Sequence, residues 1–167
     1  MMRRVVVIGS PGSGKTTLSG ELGMLLSIPV CHLDGLLWRD GWTTVSREEF
    51  DRQLHDVLSG ERWIIDGNFD RTMKERIDAC DTVIYLDMPR FLCLFSVIRR
   101  TLCSLGKSRS EMGGDCPERF DKEFLAFVWK FNGTYRKKYH SMLEGLTGKQ
   151  VHILTSRRQV ARFLLSL

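Results

Sequence analysis

Residues 9–16 read Gly-Ser-Pro-Gly-Ser-Gly-Lys-Thr, a spacing of glycine, lysine and hydroxyl that can enclose phosphate. The segment fits G-x-x-x-x-G-K-[ST], in which backbone N–H groups surround the anion. Lys15 would then reach the β- and γ-phosphates of a nucleoside triphosphate, and Thr16 would ligate Mg²⁺. The predicted nucleotide-binding residues are Gly9, Ser10, Pro11, Gly12, Ser13, Gly14, Lys15, Thr16 and Thr17.

Three carboxylates follow short apolar segments, namely Asp34, Asp66 and Asp87. In open parallel sheets, ligands bind beyond the carboxyl ends of the strands, so these positions matter most for chemistry. We expect Asp66 to hold Mg²⁺, and Asp34 to accept a hydroxyl proton or to position the metal. Each could instead be a turn aspartate with a local hydrogen bond, which is the favoured interpretation for Asp87.

The elements around these residues alternate between strand and helix. Residues 4–8 form a β-branched run typical of a buried strand, and residues 16–22 can open a helix behind the glycines. Ser46 and Glu49 have the spacing of a helix-capping box. Further strands are predicted at 28–33, 63–65, 82–86 and 151–154. This alternation predicts an α/β fold with a parallel sheet covered by helices on both faces.

The composition fits a small enzyme made of one domain. The chain has 167 residues, a net charge of +5 and five cysteines without paired spacing, which predicts reduced thiols and no zinc site. No apolar run is long enough to cross a bilayer. A cleaved leader would destroy the glycine-rich segment, so we expect a cytoplasmic protein. The positive charge suits nucleotides or nucleic acid.

With these motifs the chain resembles the P-loop kinases, the group that contains adenylate, shikimate and gluconate kinases. Within that group it resembles the DNA topology modulation (FlaR-like) family. The matching segments span nearly the whole chain: 8–17, 32–38 with 41–42, 63–68, 85–90, 116–121 and 154–157. The resemblance implies a three-layer sandwich, a five-stranded sheet of order 2-3-1-4-5 and a mobile lid, which we place at about 106–117.

The resemblance also implies roles for particular residues. Asp66, Gly67 and Asn68 match the acceptor side of the adenylate kinases, where an arginine a few residues later grips the acceptor phosphate. Arg71 is the nearest candidate, displaced by one position. Arg100, with Arg99, ends the helix before the lid, where this group supplies catalytic arginines. Lys107, Arg109 and Arg119 are further lid candidates, and Ser156 and Arg157 match the loop around adenine.

The aromatic and basic clusters leave alternatives open. Trp38, Trp42 and Phe69 either shape an apolar acceptor pocket or cap the core beneath a helix. The aromatic residues at helical spacing over 124–135 are interpreted as core. The run at 136–138 with His140 either meets nucleic-acid phosphates or forms a solvated helix face.

Two functions therefore remain. The first is an Mg²⁺-dependent kinase that transfers the γ-phosphate of ATP to an unknown small-molecule hydroxyl, with Lys15, Asp34 and Arg100 as catalytic residues. The second is an ATP-binding regulator of DNA topology. The phosphotransferase residues favour the kinase, and no helix-turn-helix, zinc module or basic tail supports direct DNA binding. We expect a monomer or homodimer without specific nucleic-acid or membrane partners.

Overall fold

The computed structural model describes residues 2–108 and 111–167. In chain order the strands are β1 (Arg4–Gly9), β2 (Val30–His32), β3 (Trp38–Arg39), β4 (Thr43–Thr44), β5 (Trp63–Asp66), β6 (Thr82–Leu86) and β7 (Gln150–Leu154). The helices are α1 (Lys15–Leu26), α2 (Leu33–Leu37), α3 (Arg47–Leu58), α4 (Asp70–Ala79), α5 (Arg90–Cys103), α6 (Lys122–Glu144) and α7 (Arg157–Leu165).

Five of the strands form one parallel sheet of order β2-β5-β1-β6-β7. Counted along the chain within this sheet, the order is 2-3-1-4-5, which confirms the sequence-based prediction. The other two strands, β3 and β4, make a short antiparallel ribbon after α2. The central strand β1 ends at Gly9, so the glycine-rich segment leaves the sheet at its middle.

Helices cover the sheet on both faces, because alternate residues of each strand point to opposite sides. Val6 and Ile8 of β1 face a core shared with α3, α4 and α6. Val5 and Val7 face a second core shared with α1, α5 and α7. The result is the three-layer α/β sandwich that the alternation of elements predicted.

Local signals explain where several elements begin. The Ser46 side chain accepts a hydrogen bond from the Glu49 N–H, as the capping box predicted, and α3 starts at the next residue. One boundary changes the place of a candidate residue. Strand β2 ends at His32 and α2 begins at Leu33, so Asp34 lies in the first turn of a short helix and not at a strand end.

The connector between α5 and α6 packs against the ribbon region. Backbone hydrogen bonds join Gly106 to Glu118 and Glu118 to Lys107, each at 3.0 Å, which closes the connector at its base. The Asp115 N–H donates to Asp40 Oδ1 at 2.6 Å. Of the lid predicted at about 106–117, Arg109 and the next position lie outside the described residues. No described helix is both long and apolar enough to span a membrane.

Candidate active site

The glycine-rich loop has the backbone geometry that encloses an anion. Gly12 and Gly14 have φ values of +76° and +98°, a region that residues with a Cβ rarely adopt. A Cβ at Gly12 would also collide with the Cys93 carbonyl of α5, so α5 packs directly on the loop. Helix α1 begins at Lys15, so its N-terminal N–H groups point toward the space that the loop surrounds.

A cleft opens in front of the loop, with a volume of about 520 Å³. We call it the phosphate cavity. Its walls include Pro11, Gly12, Gly14, Lys15, Thr16, Thr17, Asp34, Asp66, Gly67, Asn68, Phe69, Arg100, Phe124, Phe127 and Arg157. Most residues predicted from the glycine motif therefore line one cleft, while Ser10 and Ser13 are buried behind it.

Lys15 folds back over the loop. Its Nζ donates to the carbonyl oxygens of Gly9 and Ser10, at 3.0 and 3.1 Å. Burial lowers the pKa of Lys15, and the negative charges of Asp66 and Asp34 act in the opposite direction. An incoming phosphate would offer this ammonium group a better partner than two neutral carbonyls.

Asn68 supports the loop from the neighbouring strand. Its Oδ1 accepts from the Gly9 N–H at 3.1 Å and its Nδ2 donates to the Gly9 carbonyl at 2.9 Å. These two hydrogen bonds fix the backbone of Gly9 at the start of the loop. The sequence analysis had instead predicted that Asn68 binds the acceptor. The strand order predicts this contact, because it places β5 beside β1 with Val7 opposite Asp66.

Asp66 is buried at the end of β5, with only 4% of its surface exposed. One oxygen, Oδ1, lies 2.9 Å from His32 Nδ1, because β2 and β5 pair with His32 opposite Asp66. This hydrogen bond raises the pKa of His32. The other oxygen, Oδ2, is buried without a hydrogen-bond partner among the described residues.

That unsatisfied oxygen fits the predicted metal role. Mg²⁺ prefers oxygen ligands and usually takes one or two from the protein, with water and phosphate completing the shell. Asp66 and Thr16 line the same cavity and supply a carboxylate and a hydroxyl. No cluster of three or more His, Cys, Asp or Glu side chains in the described ranges would hold a metal without phosphate.

Arg76 is a supporting residue that the sequence analysis missed. It is fully buried, and its guanidinium donates to the carbonyls of Gly67, Asn68 and Phe69 at 2.5 to 3.0 Å. Burial lowers its pKa to about 10. Arg76 thereby fixes three carbonyl groups of the loop after β5. An arginine within a charged helical segment gives no sequence signal for such burial.

A second cleft, of about 290 Å³, lies next to the phosphate cavity. We call it the aromatic cavity. Its walls are mostly apolar, with charged groups at the edges: Asp34, Trp38, Trp42, Val97, Ile98, Arg100, Thr101, Met112, Glu118, Arg119, Phe120, Asp121, Phe124 and Leu125. Asp34, Arg100 and Phe124 line both cavities, so they mark the border between them.

Arg100 is held at this border by an ion pair. Its Nε lies 3.0 Å from Glu118 Oε1, and the Glu118 side chain is only 6% exposed. Glu118 belongs to the connector, so the pair ties α5 to the segment in which the lid was predicted. The pairing gives Arg100 a fixed position near the phosphate side, where a cation would meet a transferring phosphoryl group.

The tryptophans line the aromatic cavity and do not cap the core beneath α3. Trp38 and Trp42 meet edge to face, with ring centroids 5.4 Å apart. The Trp42 indole N–H donates to the Pro117 carbonyl at 3.2 Å. Phe69 stacks on Phe50 of α3 at 5.4 Å and also reaches the phosphate cavity. Trp38 and Trp42 therefore line a mostly apolar cavity, and the binding of an acceptor there stays a prediction.

Two groups of residues lie away from the site. Arg71 donates to both oxygens of Asp51 on the outer face of α3 and lines neither cavity, because its helix position turns it outward. Asp87 is buried and accepts from Arg136 Nε at 2.9 Å, with His140 Nε2 at 3.0 Å. Asp87 lines neither cavity, but its partners Arg136 and His140 are distant in sequence, so it joins β6 to α6 instead of making the purely local hydrogen bond that was expected.

The loop after β7 reaches the phosphate cavity through Arg157. Ser156 caps α7 by accepting from the Gln159 N–H, so its hydroxyl serves the helix. The guanidinium of Arg157 lies against Gly14, in space that a Cβ there would occupy. The resemblance placed Arg157 beside adenine, whereas its charge faces the phosphate cavity.

Comparison with solved structures agrees with this architecture. A shikimate kinase from Bacteroides thetaiotaomicron matches with a TM-score of 0.57 and 17% identity, over 99% of this chain and 96% of that one. A shikimate kinase from Acinetobacter baumannii in complex with shikimate matches with a TM-score of 0.62 and 15% identity, over 99% and 90%. At these identities the likeness shows the fold, that of P-loop kinases.

No family model matches the chain, and no curated protein matches it either. The comparisons therefore show the fold alone. The narrower resemblance to DNA topology modulation proteins finds no support in these comparisons.

Proposed function

We propose that the protein transfers the γ-phosphate of ATP to a hydroxyl group of a small molecule. The observation that carries the proposal is the shared border of the two cavities. The phosphate cavity and the aromatic cavity meet at Asp34 and Arg100, so a nucleotide in one and an acceptor in the other would meet there. Such juxtaposition of two reactants is a main source of catalytic rate enhancement.

The residues at the border fit distinct roles in the transfer. The acceptor oxygen forms a bond to the γ-phosphorus, the bond from that phosphorus to the β,γ-bridging oxygen breaks, and ADP leaves with the electron pair. Asp34, which is exposed to the cleft, takes the hydroxyl proton. Lys15 and Arg100 stabilise the negative charge that spreads over the transferring group.

Asp66 and Thr16 would hold Mg²⁺, which would supply positive charge to offset that of the nucleotide phosphates. The protein would contribute the buried carboxylate of Asp66 as a metal ligand. Asp66 is buried and held on its other oxygen by His32, so Oδ2 keeps a fixed direction. Arg157 adds a further cation at the rim of the loop.

The test is ADP release by purified protein with ATP, Mg²⁺ and a panel of sugars, nucleosides, nucleotides and hydroxy acids. We expect release that depends on both the metal and the acceptor. The Lys15→Ala variant should lose it, whereas Lys137→Ala, an exposed lysine on α6 outside both cavities, should retain it. Tight ATP binding without acceptor-dependent ADP release from any compound would refute the kinase proposal.

A direct action on DNA has less support. Two cations of the basic run on α6 form ion pairs within the protein. Arg136 pairs with Asp87, and Lys138 Nζ lies 2.7 Å from Asp70. We therefore expect DNA binding to be weak, non-specific and lost as salt rises from about 50 to about 200 mM. Fluorescence anisotropy with duplex DNA measures it. Submicromolar or sequence-selective binding at about 150 mM salt would favour the regulatory alternative.

A further inference from the structure

The Gly9 carbonyl oxygen accepts hydrogen bonds from two side chains, and one of them is the lysine expected to bind phosphate. Lys15 Nζ lies 3.0 Å from this oxygen, and Asn68 Nδ2 lies 2.9 Å from it. Gly9 is buried at the end of β1. Because a buried carbonyl without a donor is costly, the position of Lys15 determines how much Gly9 depends on Asn68.

Asn68 takes the place of a backbone partner in the sheet. The ladder between β1 and β5 continues to the Gly67 N–H, which donates to the Val7 carbonyl at 3.2 Å. Gly9 is the next residue of β1 whose peptide groups face β5. The Gly67 carbonyl, which would continue the ladder, instead accepts from Arg76 Nη1 at 2.9 Å. The side chain of Asn68 therefore supplies both the donor and the acceptor opposite Gly9.

The position of Asn68 is fixed in two ways. Its amide has one orientation that suits Gly9, because the reversed amide would place N–H against N–H and oxygen against oxygen. Its own carbonyl accepts from Arg76 Nη2 at 2.5 Å. The next residue, Phe69, has a φ of +31°, a strained conformation that persists only where the surroundings hold it. Asn68 is therefore preorganised to hold Gly9.

The second carbonyl that Lys15 contacts also has another donor. The Ser10 carbonyl accepts from Lys15 Nζ and from the Ser13 N–H, both at 3.1 Å. When Lys15 turns to the β- and γ-phosphates, Ser10 keeps the donor from Ser13 and Gly9 keeps the donor from Asn68. The first of these donors is a backbone group of the loop itself, whereas the second depends on one side chain from another strand.

We infer that Asn68 is a positioning residue for nucleotide binding, which keeps the Gly9 carbonyl hydrogen-bonded when Lys15 leaves it for phosphate. This inference rests on the proposed function, in which Lys15 binds the phosphates of ATP. It gives Asn68 a role on the nucleotide side, whereas the sequence predicted a role at the acceptor. Without Asn68, the release of Lys15 leaves a buried carbonyl unpaired, and that cost weakens ATP binding.

A double-mutant cycle with Lys15 tests the inference. Calorimetry gives the affinity of wild type, Asn68→Leu, Lys15→Ala and the double variant for a non-hydrolysable ATP analogue with Mg²⁺. Leucine is close to asparagine in size but neither donates nor accepts a hydrogen bond. We expect Asn68→Leu to weaken binding about ten-fold, the scale of one unpaired buried carbonyl.

The effect of Asn68→Leu should nearly vanish when Lys15 is absent. In the Lys15→Ala background the Gly9 carbonyl has the same partners with and without nucleotide. Its hydrogen bonding then cancels from the binding equilibrium, and Asn68→Leu should change the affinity by less than about two-fold. A general loosening of the loop would instead weaken binding by the same factor in both backgrounds.

Two further variants serve as checks. Asn68→Ala repeats the cycle with a side chain small enough to fit the loop, and melting temperatures show which variants are folded. Asn132→Leu is the matched control, because Asn132 Nδ2 also donates to a backbone carbonyl, that of Met88 at 2.9 Å, and lines neither cavity. Asn132→Leu should bind the ATP analogue as wild type does.

The outcomes separate this inference from the kinase proposal. An equal loss of affinity in both backgrounds, or no loss in either, would overturn the inference and leave the proposed transfer intact. Unchanged nucleotide binding in folded Lys15→Ala would overturn both, because Lys15 would not bind the phosphates. Coupling between Asn68 and Lys15 without acceptor-dependent ADP release from any compound would support the inference and refute the kinase.

Discussion

The phosphate cavity and the aromatic cavity share a border at Asp34 and Arg100, but they are built by different means. The phosphate cavity takes its backbone N–H donors from one continuous segment, the glycine-rich loop between β1 and α1, to which Arg100 and Arg157 add charge. The aromatic cavity takes its walls from side chains of four separate segments, at 34–42, 97–101, 112–121 and 124–125.

The difference determines how each cavity can vary. Backbone N–H groups do not change with side-chain identity, so the phosphate cavity recognises a chemical group common to all nucleotides. The aromatic cavity depends on tryptophan contacts and on the ion pair between Arg100 of α5 and Glu118 of the connector, so single substitutions can change its preference. In the proposed reaction, nucleotide recognition would therefore be local, and acceptor recognition would depend on tertiary packing.

The largest expected effect is at the border itself. Asp34→Asn keeps the shape and removes the base, so turnover should fall by roughly 10²–10⁴-fold, the usual contribution of general acid–base catalysis. ATP affinity should change little, because the nucleotide contacts come from the loop. Asp56→Asn, an exposed carboxylate on α3 outside both cavities, is the control. Full turnover in Asp34→Asn would remove it from the site and separate the two cavities functionally.

The second prediction concerns the phosphate cavity alone. Lys15→Ala should weaken ATP binding by about 100-fold, in line with the loss of one preorganised charged donor. Calorimetry measures the affinity, and the melting temperature shows whether the variant is folded. Acceptor binding in the aromatic cavity should be unchanged. If a folded variant bound ATP as wild type does, the glycine-rich loop would not be the nucleotide site.

The third prediction concerns the wall of the aromatic cavity that belongs to the predicted lid. Residues 111–117 contact the ribbon region through hydrogen bonds such as those from the Gly41 N–H to the Asp115 carbonyl at 2.9 Å and from the Asp115 N–H to Asp40 Oδ1 at 2.6 Å. We expect their amides to exchange rapidly in the free protein and roughly ten-fold more slowly with an ATP analogue, Mg²⁺ and an acceptor. Strong and equal protection in both states would indicate a fixed connector.

The smallest expected effect is the pH dependence of stability at the His32–Asp66 pair. Hydrogen bonding to Asp66 raises the pKa of folded His32 above its unfolded value. The pair therefore stabilises the fold fully below about pH 6.5, and this contribution is lost as pH rises through the folded pKa. His32→Asn should lose stability relative to wild type at about pH 6 and much less at about pH 8.5, with a difference of about 1 kcal/mol or less.

Only the comparison between variants isolates this contribution. Burial lowers the pKa of His152, so that histidine destabilises the fold as pH falls below its unfolded pKa, opposite in sign to His32. Chemical denaturation of wild type, His32→Asn and His152→Asn at both pH values separates the two. A pH-independent difference between wild type and His32→Asn would show that the His32–Asp66 contact does not depend on the imidazolium charge.

Much of this molecule follows from local sequence. The run of Val5–Ile8, the glycines after it and the helix that begins at Lys15 are neighbours along the chain, so pattern alone predicts the strand, the loop and the anion site. The alternation of strands and helices predicts a parallel sheet, and the resemblance to P-loop kinases supplied the order 2-3-1-4-5. The structure has that order.

Other features were decided by tertiary contacts between residues far apart in sequence. Arg71 and Arg76 lie on the same short helix, yet one faces Asp51 in solvent and the other is buried under the loop after β5. Arg100 was predicted as a catalytic cation from its place at the end of α5, and that place gave no sign of its pairing with Glu118 in the connector. Backbone geometry repeats in local sequence and can be predicted from it, whereas the partner of a side chain depends on which distant elements pack beside it, and the sequence does not encode that locally.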